Sequence, residues 1–84
     1  MLMDSDPLLA ALAGVLHATL GTDPVGVTRT RRLRQDLGIN SLSLIDVACA
    51  AEDRFGVRIP DDDLERFVTL GDAVDFLRAA GAEA

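Results

Sequence analysis

Few side chains in these 84 residues are equipped for chemistry: one histidine (His17), one cysteine (Cys49), an acidic run Asp61-Asp62-Asp63, arginines clustered between 29 and 34, and Ser41 within DLGINSLSLIDV, residues 36–47. A hydroxyl at the start of an apolar helix serves as a cap, a nucleophile or an attachment point. A serine nucleophile needs a base within reach and a third group to orient that base. His17 belongs to a different helix and nothing in the sequence brings it to Ser41; there is also no Gly-x-Ser-x-Gly elbow and no strand before the serine. Hydrolytic chemistry is therefore not expected. The acidic run lacks the alternating spacing of a calcium loop, and Cys49 has no Cys or His at ligand spacing, so no metal site is expected. Cys49 reads as a small, half-buried hydrophobe. The arginine cluster has no interleaved aromatics, so it is expected to face the chain's own acids or an acidic partner, not nucleic acid.

The elements that hold these residues are marked by caps and breakers. Asp6 and Pro7 open a first helix, with Leu8, Leu12, Val15, Leu16 and Leu20 on one stripe and Gly21 as its stop. Gly14 inside it costs roughly 1 kcal/mol against Ala, unless it allows a close helix contact. Residues 21–40 read as a long loop pinned by Val25, Val27, Leu33, Leu37 and Ile39, and a loop of that length is often functional. Asn40 caps a second helix from Ser41 to Phe55, closed by Gly56. Its inward stripe is Leu44, Val47, Ala48, Ala51 and Phe55. Leu42, Ile45 and Cys49 form an adjacent stripe, wider than one neighbour needs, and Asp46, Glu52 and Asp53 occupy the remaining face.

Pro60 and the three acids open a short third helix at its positive dipole end, docked by Leu64, Phe67 and Val68. Thr69 caps a fourth, with Asp72 as a weak capping-box partner, an inner face of Ala73, Val74, Leu77 and Ala80, and Gly81 as its stop. The expected fold is all-α: a single domain over residues 1–84, a small four-helix bundle of three longer helices and a short third, with a long loop between the first two.

The bulk numbers agree. A chain this short buries a modest core. The net charge of −6 sits in the second part: residues 46–84 hold ten acids and four arginines, and residues 1–45 hold four of each. That acidity disfavours nucleic acid and anionic membranes and favours basic protein partners. A lone cysteine, no basic leader and no apolar run long enough to span a bilayer point to a soluble cytoplasmic protein. A monomer is expected, since no large unexplained apolar patch demands a dimer.

With nucleophile and metal ligand set aside, a resemblance bears on Ser41. Leu37-Gly38, Ser41-Leu42, Phe55-Gly56, Ile59-Pro60-Asp61 and Thr69 stand in the order and spacing of the acyl carrier protein family, which the chain resembles strongly over residues 33–78 and loosely over the first helix. The resemblance implies a non-catalytic carrier. Ser41 would bear 4′-phosphopantetheine, transferred from coenzyme A by a phosphopantetheinyl transferase, and the arm's thiol would hold acyl groups as thioesters for enzymes of polyketide, fatty-acid or related biosynthesis. The chain departs from the family at Asn40, where an Asp is usual; capping survives but one negative charge is lost.

The resemblance also makes the second helix a docking face for loading and processing enzymes with basic patches. Asn40, Leu42, Ile45 and Cys49 would lie beside the arm, with Asp46, Glu52 and Asp53 supplying charge for steering. Reversing Asp46 and Glu52 to Lys is expected to weaken loading without unfolding the domain. Two alternatives remain: a stand-alone aminoacyl or peptidyl carrier, and a helical interaction module that keeps the serine unmodified. The slim run Ala48-Cys49-Ala50-Ala51 either leaves room for a cargo chain or reflects close helix packing.

Overall fold

The computed structural model describes residues 6–21 and 28–83. It contains four helices, α1 (Pro7–Leu20), α2 (Ser41–Phe55), α3 (Asp61–Arg66) and α4 (Leu70–Ala79), as the punctuation implied. Asp6 caps α1 by accepting from the Leu8 N–H at 2.9 Å, and its other carboxylate oxygen meets the Arg78 guanidinium, tying the start of α1 to the end of α4. That guanidinium is the main reason the Asp6 carboxyl sits below its ordinary pKa. α1 and α2 close on Gly21 and Gly56.

α1 lies between α2 and α4 and buries Leu8, Leu9, Leu12, Ala13, Val15 and Leu16. α2 contributes Leu44, Val47, Ala48 and Ala51; α3 contributes Leu64; α4 contributes Leu70, Ala73, Val74 and Leu77. Phe55 and Leu20 are half-buried and pack against this cluster from its edge. Free space inside the core is about 30 Å³. Ala48 and Ala51 of α2 are buried in this core and allow close packing.

The described part of the long loop is folded onto the bundle. Leu33 and Ile39 are buried at 3% and 2% exposure, Leu37 is half-buried, and the expected anchors Val25 and Val27 lie outside the described residues. Residues 29–33 run beside the α3–α4 connection. The N–H of Leu33 donates to Val68 O at 2.8 Å, Leu70 N–H to Arg31 O at 2.9 Å and Gly71 N–H to Arg29 O at 2.9 Å, with an isolated antiparallel bridge between Arg32 and Thr69. Gly71 permits this approach, because a Cβ there would lie 3.0 Å from Arg29 O.

The details depart from expectation at four points. Val68 does not dock α3; its backbone carbonyl serves the loop while its side chain is 58% exposed. Ala80 is exposed, because α4 ends at Ala79 and the chain turns away. The Thr69–Asp72 pair is a full capping box, with both reciprocal bonds made. A Cβ added at Gly14 would meet nothing within 4 Å, so this glycine mediates no close helix contact.

Candidate functional site

Ser41 is the first residue of α2, and the backbone reaches it through a tight sequence of turns. Asp36 accepts from the Arg32 N–H at 2.8 Å and also meets its guanidinium, closing residues 32–36 on themselves; those bonds, the backbone one foremost, hold the Asp36 carboxyl below its ordinary pKa. Gly38, at φ +67, turns the chain in the left-handed region that side chains disfavour. The Ile39 N–H donates to Leu33 O at 2.9 Å and its side chain is buried, which fixes the entry to the helix. Asn40 then caps α2, its Oδ1 accepting from the Ser43 N–H at 2.8 Å.

The result is an exposed Ser41 hydroxyl at the positive end of a 15-residue helix whose first turn carries no acid. Capping by Asn40 takes the Ser43 N–H and leaves those of Ser41 and Leu42 outside the helix ladder. Arg34, presented by the 32–38 turns, donates from Nη1 to Ser41 Oγ at 3.4 Å. A groove of about 330 Å³ opens beside the serine, lined by Leu44, Ile45 and Leu64 and by three charged residues, Arg34, Asp61 and Glu65. His17 is in the last turn of α1 and does not line this groove, and among the described residues the hydroxyl is hydrogen-bonded to Arg34 and to neither carboxylate of the groove.

The chemistry of these donors fits a phosphodiester on Oγ. The oxygen faces solvent, a guanidinium already points at it, and the helix end favours an anion. Nothing here activates the serine as a nucleophile, so the group would have to be installed by another protein.

The other residues singled out in the sequence share one face of α2. Leu42 and Ile45 are 75% and 48% exposed, and Cys49, expected to be half-buried, is exposed on the same side. Asp46 and Asp53 are exposed and make no ion pair among the described residues. Glu52 differs: it is half-buried, and its Oε2 accepts from the Ile59 N–H at 2.7 Å. A second groove of about 420 Å³ runs from Ile45 and Cys49 past Glu52 to Arg58 and Pro60.

Two of the clustered arginines do face the chain's own acids. Arg29 Nη2 contacts both carboxylate oxygens of Asp75 at 2.9 Å, and Arg32 pairs with Asp36. Arg34 does not, and its place at the serine is not anticipated by the sequence reading. The sequence carries a faint signal for it: a cation seven positions before Ser41, separated from it by a turn-forming Gly.

Comparison with known proteins bears on the same residues. The family described as "Phosphopantetheine attachment site" matches residues 7–77. The acyl carrier protein of Acidothermus cellulolyticus is 37% identical over 84 residues, all of this chain and all of that one. The meromycolate extension acyl carrier protein of Mycolicibacterium smegmatis is 36% identical over 78 residues, covering 93% of this chain and 79% of the relative. Among solved structures, one described as an acyl carrier protein from Mycobacterium tuberculosis superimposes with a TM-score of 0.79 at 29% identity, covering 86% of this chain and 96% of that one.

Proposed function

The chain belongs to the acyl carrier protein family, and we propose that Ser41 is the residue bearing its 4′-phosphopantetheine arm. Members of this family are carriers without catalytic activity, and the matched domain is the attachment site of that group. When bound, the arm supplies a thiol on which acyl groups are held as thioesters. The observation that supports Ser41 is its placement: an exposed hydroxyl opening α2, at the end of a fixed turn, with a guanidinium at Oγ.

The protein's own residues then have three tasks. Asn40, Gly38 and Ile39 hold the first turn of α2 in a shape that a phosphopantetheinyl transferase can engage. Leu42, Ile45 and Cys49 offer acyl-processing enzymes a shallow apolar stripe next to the arm. Asp46 and Asp53 add charge for basic patches on those enzymes, giving fast, exchangeable contacts. Asn40, neutral and engaged as a cap, contributes shape in place of charge.

The cargo reading is acyl, in a fatty-acid-related pathway, and the chain acts as a monomer. The pathway rests on relatives named for meromycolate extension. No helix among the described residues is long and apolar enough to cross a membrane. The test is loading: the arm-bearing protein is incubated with an acyl-coenzyme A and a fatty-acid-type acyltransferase, and separately with an amino acid, ATP and an aminoacyl-activating enzyme. Acyl thioester on the wild type and none on Ser41→Ala supports the reading. Loading with the amino acid alone overturns the cargo assignment.

A further inference from the structure

We propose that Arg34 is the phosphate-binding residue of this carrier, holding the phosphodiester that joins the arm to Ser41; this rests on Ser41 being the attachment point. Three observations converge. Arg34 Nη1 lies 3.4 Å from Ser41 Oγ, the atom that would carry the phosphate. Among the described residues, Arg34 is the only cation lining the groove beside the serine, which it shares with Asp61 and Glu65. Its guanidinium is also uncommitted: it forms no ion pair among the described residues, whereas Arg29 and Arg32 in the same segment are paired with Asp75 and Asp36.

The local charge makes the assignment specific. Asn40 is neutral and the first turn of α2 has no acid, so no carboxylate there competes with a phosphodiester for the arginine. Asp61 and Glu65, which also line the groove, repel an anion and leave the guanidinium as its one favourable contact there. A planar guanidinium with several donors suits a phosphodiester monoanion. Arg34 would thus draw the base of the arm toward the 32–38 turns and away from α3, setting the direction in which the arm leaves the protein. It is a positioning residue; the serine carries the bond.

Phosphorus NMR of the arm-bearing protein tests this, comparing wild type with Arg34→Gln and Arg34→Lys, after mass spectrometry has shown one arm on each. Arg34 is exposed and outside the core, so the unmodified forms should melt together. The expected result is a phosphorus resonance in the wild type displaced from that of Arg34→Gln in about 0.05 M salt. The difference should shrink in about 1 M salt as the contact is screened, with Arg34→Lys in between. The arm should also raise the melting temperature of the wild type by about 1–5 °C more than that of Arg34→Gln, the range of one exposed charge contact in a small domain. Arms present with one common resonance in all three proteins overturn the role of Arg34 and leave Ser41 standing. No arm on wild-type Ser41 overturns both.

Discussion

The carboxylate of Glu52 accepts a hydrogen bond from the backbone N–H of Ile59 at 2.7 Å, joining the last turns of α2 to the segment that leads into α3. Ile59 is buried and Glu52 is half-buried, so this bond is shielded on one side. An acid on the helix proposed for docking is thereby also a structural clip. Glu52→Ala would leave the Ile59 N–H without its partner, at a cost of about 1–3 kcal/mol. Denaturant melts should show that loss, with Glu52→Gln, which keeps an acceptor oxygen, losing less. Reversal to Lys at Glu52 should consequently cost stability as well as change the surface charge, so it tests docking less cleanly than reversal at Asp46.

Asp46 gives the cleaner probe of docking. It is exposed and makes no ion pair among the described residues, so Asp46→Lys should leave the stability within about 0.5 kcal/mol of wild type. The rate of arm transfer by a phosphopantetheinyl transferase should fall about three- to tenfold at low salt, and the gap should narrow at high salt because steering is screened. Equal rates at low salt would remove Asp46 from the docking face.

Two glycines separate crowding from propensity. At Gly71 a Cβ would press on the Arg29 carbonyl at 3.0 Å, so Gly71→Ala should destabilise by about 1–3 kcal/mol by straining the bond from the Gly71 N–H to that carbonyl. At Gly14 the Cβ would meet nothing within 4 Å, so Gly14→Ala should stabilise α1 by about 0.5–1 kcal/mol. Chemical denaturation of both variants checks the pair of opposite signs.

The acid limb of the stability curve should carry the mark of Asp72. Its carboxylate accepts from the N–H groups of Val68 at 2.9 Å and Thr69 at 3.1 Å, and those bonds, Val68 first, hold it below its ordinary pKa. A carboxyl whose pKa is lower when folded contributes stability above its unfolded value, about 4, and loses it as pH falls through the folded value. Stability should therefore drop below about pH 4, with Asp6 and Asp36 acting in the same direction. Asp72→Asn should flatten that drop and lower stability at neutral pH, as melting temperatures taken from acid to neutral pH would show.

What could be read from the sequence was local. Asp6-Pro7, Asn40, Thr69 and the glycines after α1 and α2 fix their helix ends through short-range bonds, and all four helices formed where those signals stood. The serine was legible for the same reason, as a hydroxyl directly after a cap. Val68 and Arg34 were not, because contacts outside any helix period decide their places. The Val68 carbonyl accepts from Leu33 while its side chain is exposed, and Arg34 meets Ser41 next to the turn that Asp36 closes on Arg32. Neither contact leaves a periodic trace. Glu52 was misjudged in one respect, since a helix wheel shows its face but not the Ile59 N–H waiting beyond the helix end.

The central claim is that Ser41 carries the arm, and one measurement addresses it directly. The protein is incubated with coenzyme A, magnesium and a phosphopantetheinyl transferase, in parallel with Ser41→Ala and Ser43→Ala, and intact masses are compared. Wild type and Ser43→Ala should each gain one phosphopantetheine and Ser41→Ala none. A gain that survives in Ser41→Ala, or no gain in the wild type with a transferase from the source organism, would contradict the account.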